Sequence, residues 1–323
     1  MKIMVARPVV ALALLIAASL HAFSQNYPSH PVKIVVPTAA GGAIDTAARL
    51  VGEKLQARWG QPVVVENRPG ASMRIGAEAV QKAAPDGYTL LVAHDGTMAI
   101  NPIAFPDLPY DPQKDFTPLG LVTSIPEAVM VNKAVPAGSI IELIGLAKKQ
   151  PGQLTHATGG SATLLSLELF KAMAAIDVRS IPYRGGAPAV TAAIAGETGM
   201  IIADLTTGNA ALNSDRMCPL AVTSRKRSNK YPKLPTMDEA GVKGYEVNTW
   251  IGFFGPARIP EEVAAEIEMA IKEATASPDV RARFESTGAV VRSGSARELR
   301  EVLATDLAKW ANLVKEQNIK LSQ

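Results

Sequence analysis

Val32-Lys33-Ile34-Val35-Val36-Pro37-Thr38-Ala39-Ala40-Gly41-Gly42-Ala43-Ile44-Asp45 carries the most structural information in this chain. A β-branched run ends at Pro37, a short glycine loop follows, and a helix is predicted from near Asp45, through Ala47, Ala48, Leu50, Val51 and Leu55. A strand, a glycine turn and a helix start in that order aim free backbone N–H groups and the positive end of a helix dipole at one point. Such a point suits an anion.

The same device recurs. Leu154–Thr158 reads as a strand, Gly159-Gly160-Ser161 as a turn, and 162–174 as an apolar helix; Tyr183–Pro188 holds a further glycine turn before a helix at 188–195. Strand-like segments at 62–66, 88–93, 128–131, 178–182, 200–203, 220–223 and 249–256 alternate with helical ones at 74–83, 140–149, 260–275, 278 onward and 296–316. Ser139 with Glu142 forms a capping box for one of them. The proline-rich 101–118 reads as an irregular connection, Arg225–Lys230 as a solvated charged loop, and Pro235-Thr236 as the lead into a short helix. Alternation of this kind implies an α/β fold of βαβ units with mostly parallel sheets. Ligands of open α/β sheets bind at the C-terminal ends of the strands, so the clusters at 38–97 and 158–204 are expected to face each other across a cleft.

Composition narrows the function. Lys2 and Arg7, the apolar run Pro8–Leu20 and the small residues Ala22 and Ser24 form a secretory signal peptide over 1–24, an uncleaved anchor being the alternative. Without Lys2 and Arg7 the formal charge of +3 falls to about +1, so no basic field recruits nucleic acid. The lone Cys218 precludes an intrachain disulfide. There is no Gly-x-Ser-x-Gly elbow, no His-Glu-x-x-His and no nucleotide loop ending Gly-Lys-Ser/Thr.

In order along nearly the whole mature chain, several segments resemble the Bug, or TctC-type, periplasmic solute-binding proteins of tripartite tricarboxylate transport systems. They are Tyr27–Pro37, Ala40–Asp45, Gly60–Ala71, Ala84–Leu91, Pro109–Phe116, Pro182-Tyr183-Arg184-Gly185-Gly186 and Pro235–Gly241. The resemblance implies a two-lobed type II periplasmic binding protein fold, each lobe a mostly parallel sheet flanked by helices. Lobe one is 25–124 with 250–323, and lobe two is 125–249. It implies a non-catalytic monomer that captures a small carboxylate and delivers it to a membrane permease, with no cofactor or metal. An exported sensor and an exported hydrolase are the rival readings.

Carried residue by residue, the resemblance gives a lobe-one shell of Thr38, Ala39, Ala40, Gly41, Gly42, Asp45, Ala71, Ser72, Gly96 and Thr97. The lobe-two shell is Thr158, Gly159, Gly160, Ser161, Gly185 and Asp204. Amides at 39–42 and 159–161 are expected to hold the carboxylate, and the hydroxyls of Thr38, Ser72, Thr97 and Ser161 to add donors. The chain departs from the family pattern at Thr38, Ser72-Met73-Arg74, His94-Asp95 and Ala162–Leu165. Asp45 is open between a helix cap and a pocket residue, and Arg74 between a solvated side chain and a cation for a second ligand carboxylate. A dicarboxylate, an acidic amino acid and an aromatic acid all remain candidate ligands.

Overall fold

The computed structural model describes residues 27–183 and 185–319; the leader reading of 1–24 and Arg184 lie outside them. Ten strands run in chain order: β1 (Val32–Val36), β2 (Val63–Asn67), β3 (Thr89–His94), β4 (Phe116–Asn132), β5 (Thr155–Thr158), β6 (Arg179–Pro182), β7 (Met200–Asp204), β8 (Met217–Val222), β9 (Asn248–Pro256) and β10 (Val290–Gly294). The helices are α1 (Ala43–Trp59), α2 (Arg74–Gln81), α3 (Asn101–Ala104), α4 (Ile140–Lys149), α5 (Ser161–Ala174), α6 (Gly186–Ala195), α7 (Asn209–Leu212), α8 (Glu261–Ala276), α9 (Pro278–Ser286) and α10 (Ala296–Glu316).

The strands form two sheets that share β4. The first has the order β2-β1-β3-β9-β4-β10 and the second β8-β4-β7-β5-β6. β1 is parallel to β2 and β3, and β5 to β6 and β7; β9, β10 and the second half of β4 run against their neighbours. Most strands of each sheet therefore point one way, toward the glycine loops. β1 is central and covered on both faces, which is why Val32, Ile34, Val35 and Val36 form an almost unbroken apolar run. α1 lays Ile44, Ala47, Ala48, Val51 and Leu55 on this sheet at helical spacing. Each large side chain fully buried there contributes about 1.5–3 kcal/mol. Gly52 lets the helix approach, since a Cβ would stand 3.3 Å from Ile34 Cδ1.

α10 ties the two sheets together. It packs on β4, and it also meets the turn after β3 and the helix α5. Trp310 is buried in the same apolar cluster as Leu91 of the first sheet and Met200 of the second, and Trp250 Nε1 donates to Asp306 Oδ2 at 2.7 Å.

Three expectations are corrected. The strand read at 128–131 is the tail of a 17-residue strand that begins at Phe116, inside the segment read as irregular. Pro118 is accommodated because the register with β9 shifts between Pro118 and Gly120. Pro235-Thr236 leads into turns rather than a helix, with Thr236 forming an isolated bridge to Val222. β10 was not foreseen, because its alternating Val290–Gly294 pattern is short and half exposed.

Candidate functional site

The loop after β1 is organised by Asp45, which is 3 % exposed. Its Oδ2 accepts from the Gly41 amide and from Arg49 Nε, each at 2.9 Å, and its Oδ1 from Arg49 Nη2 and Asn67 Nδ2, each also at 2.9 Å. Asn67 Nδ2 also donates to the Thr38 carbonyl at 3.0 Å, so the ends of β1 and β2 are latched to the first turn of α1. Burial pushes the Asp45 carboxyl up, but Arg49, Gly41 and Asn67 outweigh it and hold it at about 2. The cap position itself is Gly42, so Asp45 acts from inside the helix, reaching back to an amide that precedes it. All of its lone-pair directions are spent on the fold.

That latch corrects one expectation. Gly41 donates inward and is unavailable to a ligand, whereas the amides of Ala39, Ala40 and Gly42 have no partner among the described residues and their residues are exposed. Thr38 Oγ1 is buried and has no partner there either.

Ala71, Ser72 and Met73 follow β2 as a tight turn in left-handed conformation, with φ of 46°, 54° and 73°. Asn101 Nδ2 braces this turn by donating to the Ser72 carbonyl at 2.7 Å. Thr97 is fully buried and its hydroxyl points to Met73 Sδ at 3.4 Å. Gly96 opens a π-turn, Gly96–Ile100, that starts beneath His94. The Thr97 amide donates to His94 Nδ1 at 3.2 Å. Burial pushes the His94 imidazole below its ordinary value, and the charge of Asp204 on the second sheet opposes this. Arg74 is committed elsewhere: its Nε donates to the Ala71 carbonyl at 3.0 Å, and its guanidinium lies 4.4 Å from the Phe105 ring centroid and 3.5 Å from Asp107. It is not a free cation for a second carboxylate.

On the second sheet, Gly159, Gly160, Thr163, Gly186, Asp204 and Thr207 line a common pocket of about 190 Å³. Two glycine loops touch here, since a Cβ on Gly159 would stand 2.7 Å from the Gly186 Cα. The Gly159 amide donates to Thr163 Oγ1 at 3.0 Å, so it too is spent internally, while the amides of Gly160 and Ser161 at the start of α5 are unpaired among the described residues. The Gly185 amide donates to the Tyr183 carbonyl at 2.9 Å. Thr158 is buried and its hydroxyl is held by Ser180 Oγ at 2.6 Å and His156 Nδ1 at 2.9 Å, which turns it into the lobe. Asp204 Oδ1 caps the turn after β7, accepting from the Thr206 and Thr207 amides at 3.0 and 2.9 Å.

Beneath both loop sets lies a buried group the sequence reading missed. Glu127 of β4 pairs in register with Asp204 and has one carboxylate oxygen without a partner among the described residues. Burial is the main cause that raises its carboxyl to about 7; Asp204 adds to the rise, while Ser166 and Lys309 oppose it. Burial likewise pushes Asp95 well above the carboxylate range, with Asp306 and Glu127 adding to it. Asn67, Asn101 and Thr163 were also missed. Only Asn67 stood inside a quoted motif, and nothing in its neighbours said that it would latch a loop 29 residues away.

Comparison with known proteins agrees with this architecture. A family model described as "Tripartite tricarboxylate transporter family receptor" matches residues 47–319. Protein BugT of Bordetella pertussis is 32% identical over 301 residues, covering 92% of each chain. Two solved structures from Rhodopseudomonas palustris superpose over nearly their whole length. Rpa4515 with adipate has a TM-score of 0.80 at 32% identity, covering 90% of this chain and 98% of that one. MatC with bound malate has a TM-score of 0.76 at 31% identity, covering 89% and 100%.

Proposed function

The chain belongs to the tripartite tricarboxylate transporter receptor family, and from that premise we propose that it captures a small carboxylate between two lobes and delivers it to a membrane permease of that transporter type. In this reading the lobes divide at the crossover strands, with 25–124 and 250–323 on one side and 125–249 on the other. The chain acts as a monomer exported to the periplasm by a cleaved leader over 1–24. The ligand is anchored through one carboxylate and varies at its distal end; two relatives hold the dicarboxylates adipate and malate.

One observation carries the reading: the loops leading into α1 and α5, each just after a parallel strand, present amides at Ala39, Ala40, Gly42, Gly160 and Ser161 that have no partner among the described residues. Charge-assisted bonds to such donors, with desolvated apolar contact, bring micromolar affinity, about −8 kcal/mol, within reach.

Gly42 is the position at which to test it. Its φ of −80° suits any residue and an added Cβ meets nothing within 4 Å, whereas Gly41 and Gly160 have φ of +91° and +155° and would resist substitution for reasons unrelated to ligand. Calorimetric titration of mature protein, refolded to strip any carried-over ligand, is expected to give a heat with a dicarboxylate, acidic amino acid or aromatic acid. The same heat is expected to vanish in folded Gly42→Phe. Undiminished binding by Gly42→Phe, or silence across the panel, would overturn the assignment.

A further inference from the structure

The run Arg225-Lys226-Arg227-Ser228-Asn229-Lys230 follows β8 and forms one wall of a groove of about 550 Å³. The opposite wall belongs to the first sheet's side of the molecule, with Arg281 of α9 and Arg292 of β10, and the crossover residues Ser124, Pro126 and Asn248 also line the groove. Strand order fixes where this groove lies. In the first sheet β10 is across β9 and β4 from β1 and β3; in the second, β8 is across β4 from β7, β5 and β6. The groove therefore opens on the other side of the crossover strands from the glycine loops that follow β1, β3, β5 and β7.

Its charge is unbalanced. Six cationic side chains line it against two acids, Glu246 and Glu285. Arg225 Nε pairs with Glu246 at 2.5 Å, Arg281 Nη2 with Glu285 at 3.4 Å, Arg227 Nε with Glu239 at 2.8 Å, and Arg292 with Glu298. Among the described residues neither Lys226 nor Lys230 makes an ion pair; Lys230 Nζ lies 3.3 Å from the neutral Asn209 Oδ1 and 5.5 Å from the centroid of the Tyr231 ring. Two lysines are thus left without a counter-charge, and the four guanidinium groups retain unused N–H donors, each having five. A single exposed charge pair is weak, so a monovalent carboxylate gains little here. An ion with several charged oxygens engages both walls at once, and guanidinium forks match its geometry.

We propose that this groove is a second anion site, separate from the carboxylate cleft, that takes a multivalent phosphate-type oxyanion. The ion is either free in solution or the phosphomonoester headgroup of a lipid, since both present the same oxygens. Pyrophosphate is the probe for the free ion, titrated calorimetrically into the mature chain at an ionic strength of about 20 mM, where screening is slight. Lys226→Glu/Lys230→Glu is expected to weaken pyrophosphate by about tenfold or more. The variant Lys148→Glu/Lys149→Glu, the same charge change on the exposed end of α4, is expected to bind nearly as the wild type does. Circular dichroism establishes that both are folded. Co-sedimentation with phosphatidylcholine vesicles containing phosphatidic acid, and not with phosphatidylcholine alone, would assign the lipid source; binding of soluble pyrophosphate without co-sedimentation would assign the free ion. Equal weakening in the two double variants, which marks net charge alone, or no pyrophosphate binding by the wild type, overturns the site.

Discussion

Ala71, Ser72 and Met73 are three consecutive non-glycine residues in left-handed conformation, each costing roughly 1–2 kcal/mol. They persist because the turn is over-determined: Asn101 holds the Ser72 carbonyl, and Thr97 meets the Met73 sulfur. The Ser72 side chain is exposed and makes no hydrogen bond among the described residues. Ser72→Gly should therefore keep the brace and shed strain that exceeds the roughly 0.5–1 kcal/mol cost of glycine's extra freedom. The expected outcome is a melting temperature raised by about 1–3 °C; a lower one would show that this turn is not strained. The departure from the family's small-residue loop was visible in the sequence at Ser72-Met73-Arg74. Its consequence was not, because positive φ at an alanine, a serine and a methionine has no signature in residue type. At Asp45 the helix start was legible but the role was not: Gly42 holds the cap position, and Asp45 instead latches the Gly41 amide, Arg49 and, from β2, Asn67.

β4 is the element on which sequence reading and structure differ most. Its first half carries Pro118 and Gly120 and looks like a connection, yet it pairs with β9 and β10 on one side of the molecule and with β7 and β8 on the other. The alternation of short apolar runs with helical segments found the βαβ strands because each is short and bounded by turn residues. A crossover strand serves two sheets and obeys neither pattern over its whole length. Glu127 sits where β4 passes into the second sheet, buried, with its carboxyl raised to about 7 chiefly by burial. A raised acid binds its proton more tightly in the folded chain than in the unfolded one. Its contribution therefore favours folding at low pH, is lost progressively as pH climbs from about 4.5 to about 7, and is constant above that. Glu127→Gln removes this titration at nearly constant shape. Denaturant unfolding across that range should find the variant gaining on the wild type with rising pH, by up to about 3 kcal/mol at the plateau. A constant difference across the range would mean that Glu127 is ionised in the folded protein throughout.

Two walls of the rear groove belong to different sheets, as do the two amide clusters of the proposed cleft, and β4 and β9 run between the groove and the cleft. A bend about those strands that narrows the cleft spreads the groove. An oxyanion bridging the rear walls, with Lys226 and Lys230 on one and Arg292 on the other, accordingly favours the arrangement in which the cleft is open. Linkage makes the effect reciprocal, so whatever the ion takes from carboxylate affinity the carboxylate takes from ion affinity. Couplings of this kind are typically worth about 1–3 kcal/mol, and an exposed site belongs at the low end. Saturating pyrophosphate, at ionic strength matched with chloride, should weaken binding of adipate or malate, whichever gives a heat, by about fivefold in the wild type. It should leave the affinity of Lys226→Glu/Lys230→Glu unchanged. An equal loss in both proteins would assign the effect to competition at the carboxylate cleft itself. That result would divorce the groove from hinge motion even if the groove binds the ion.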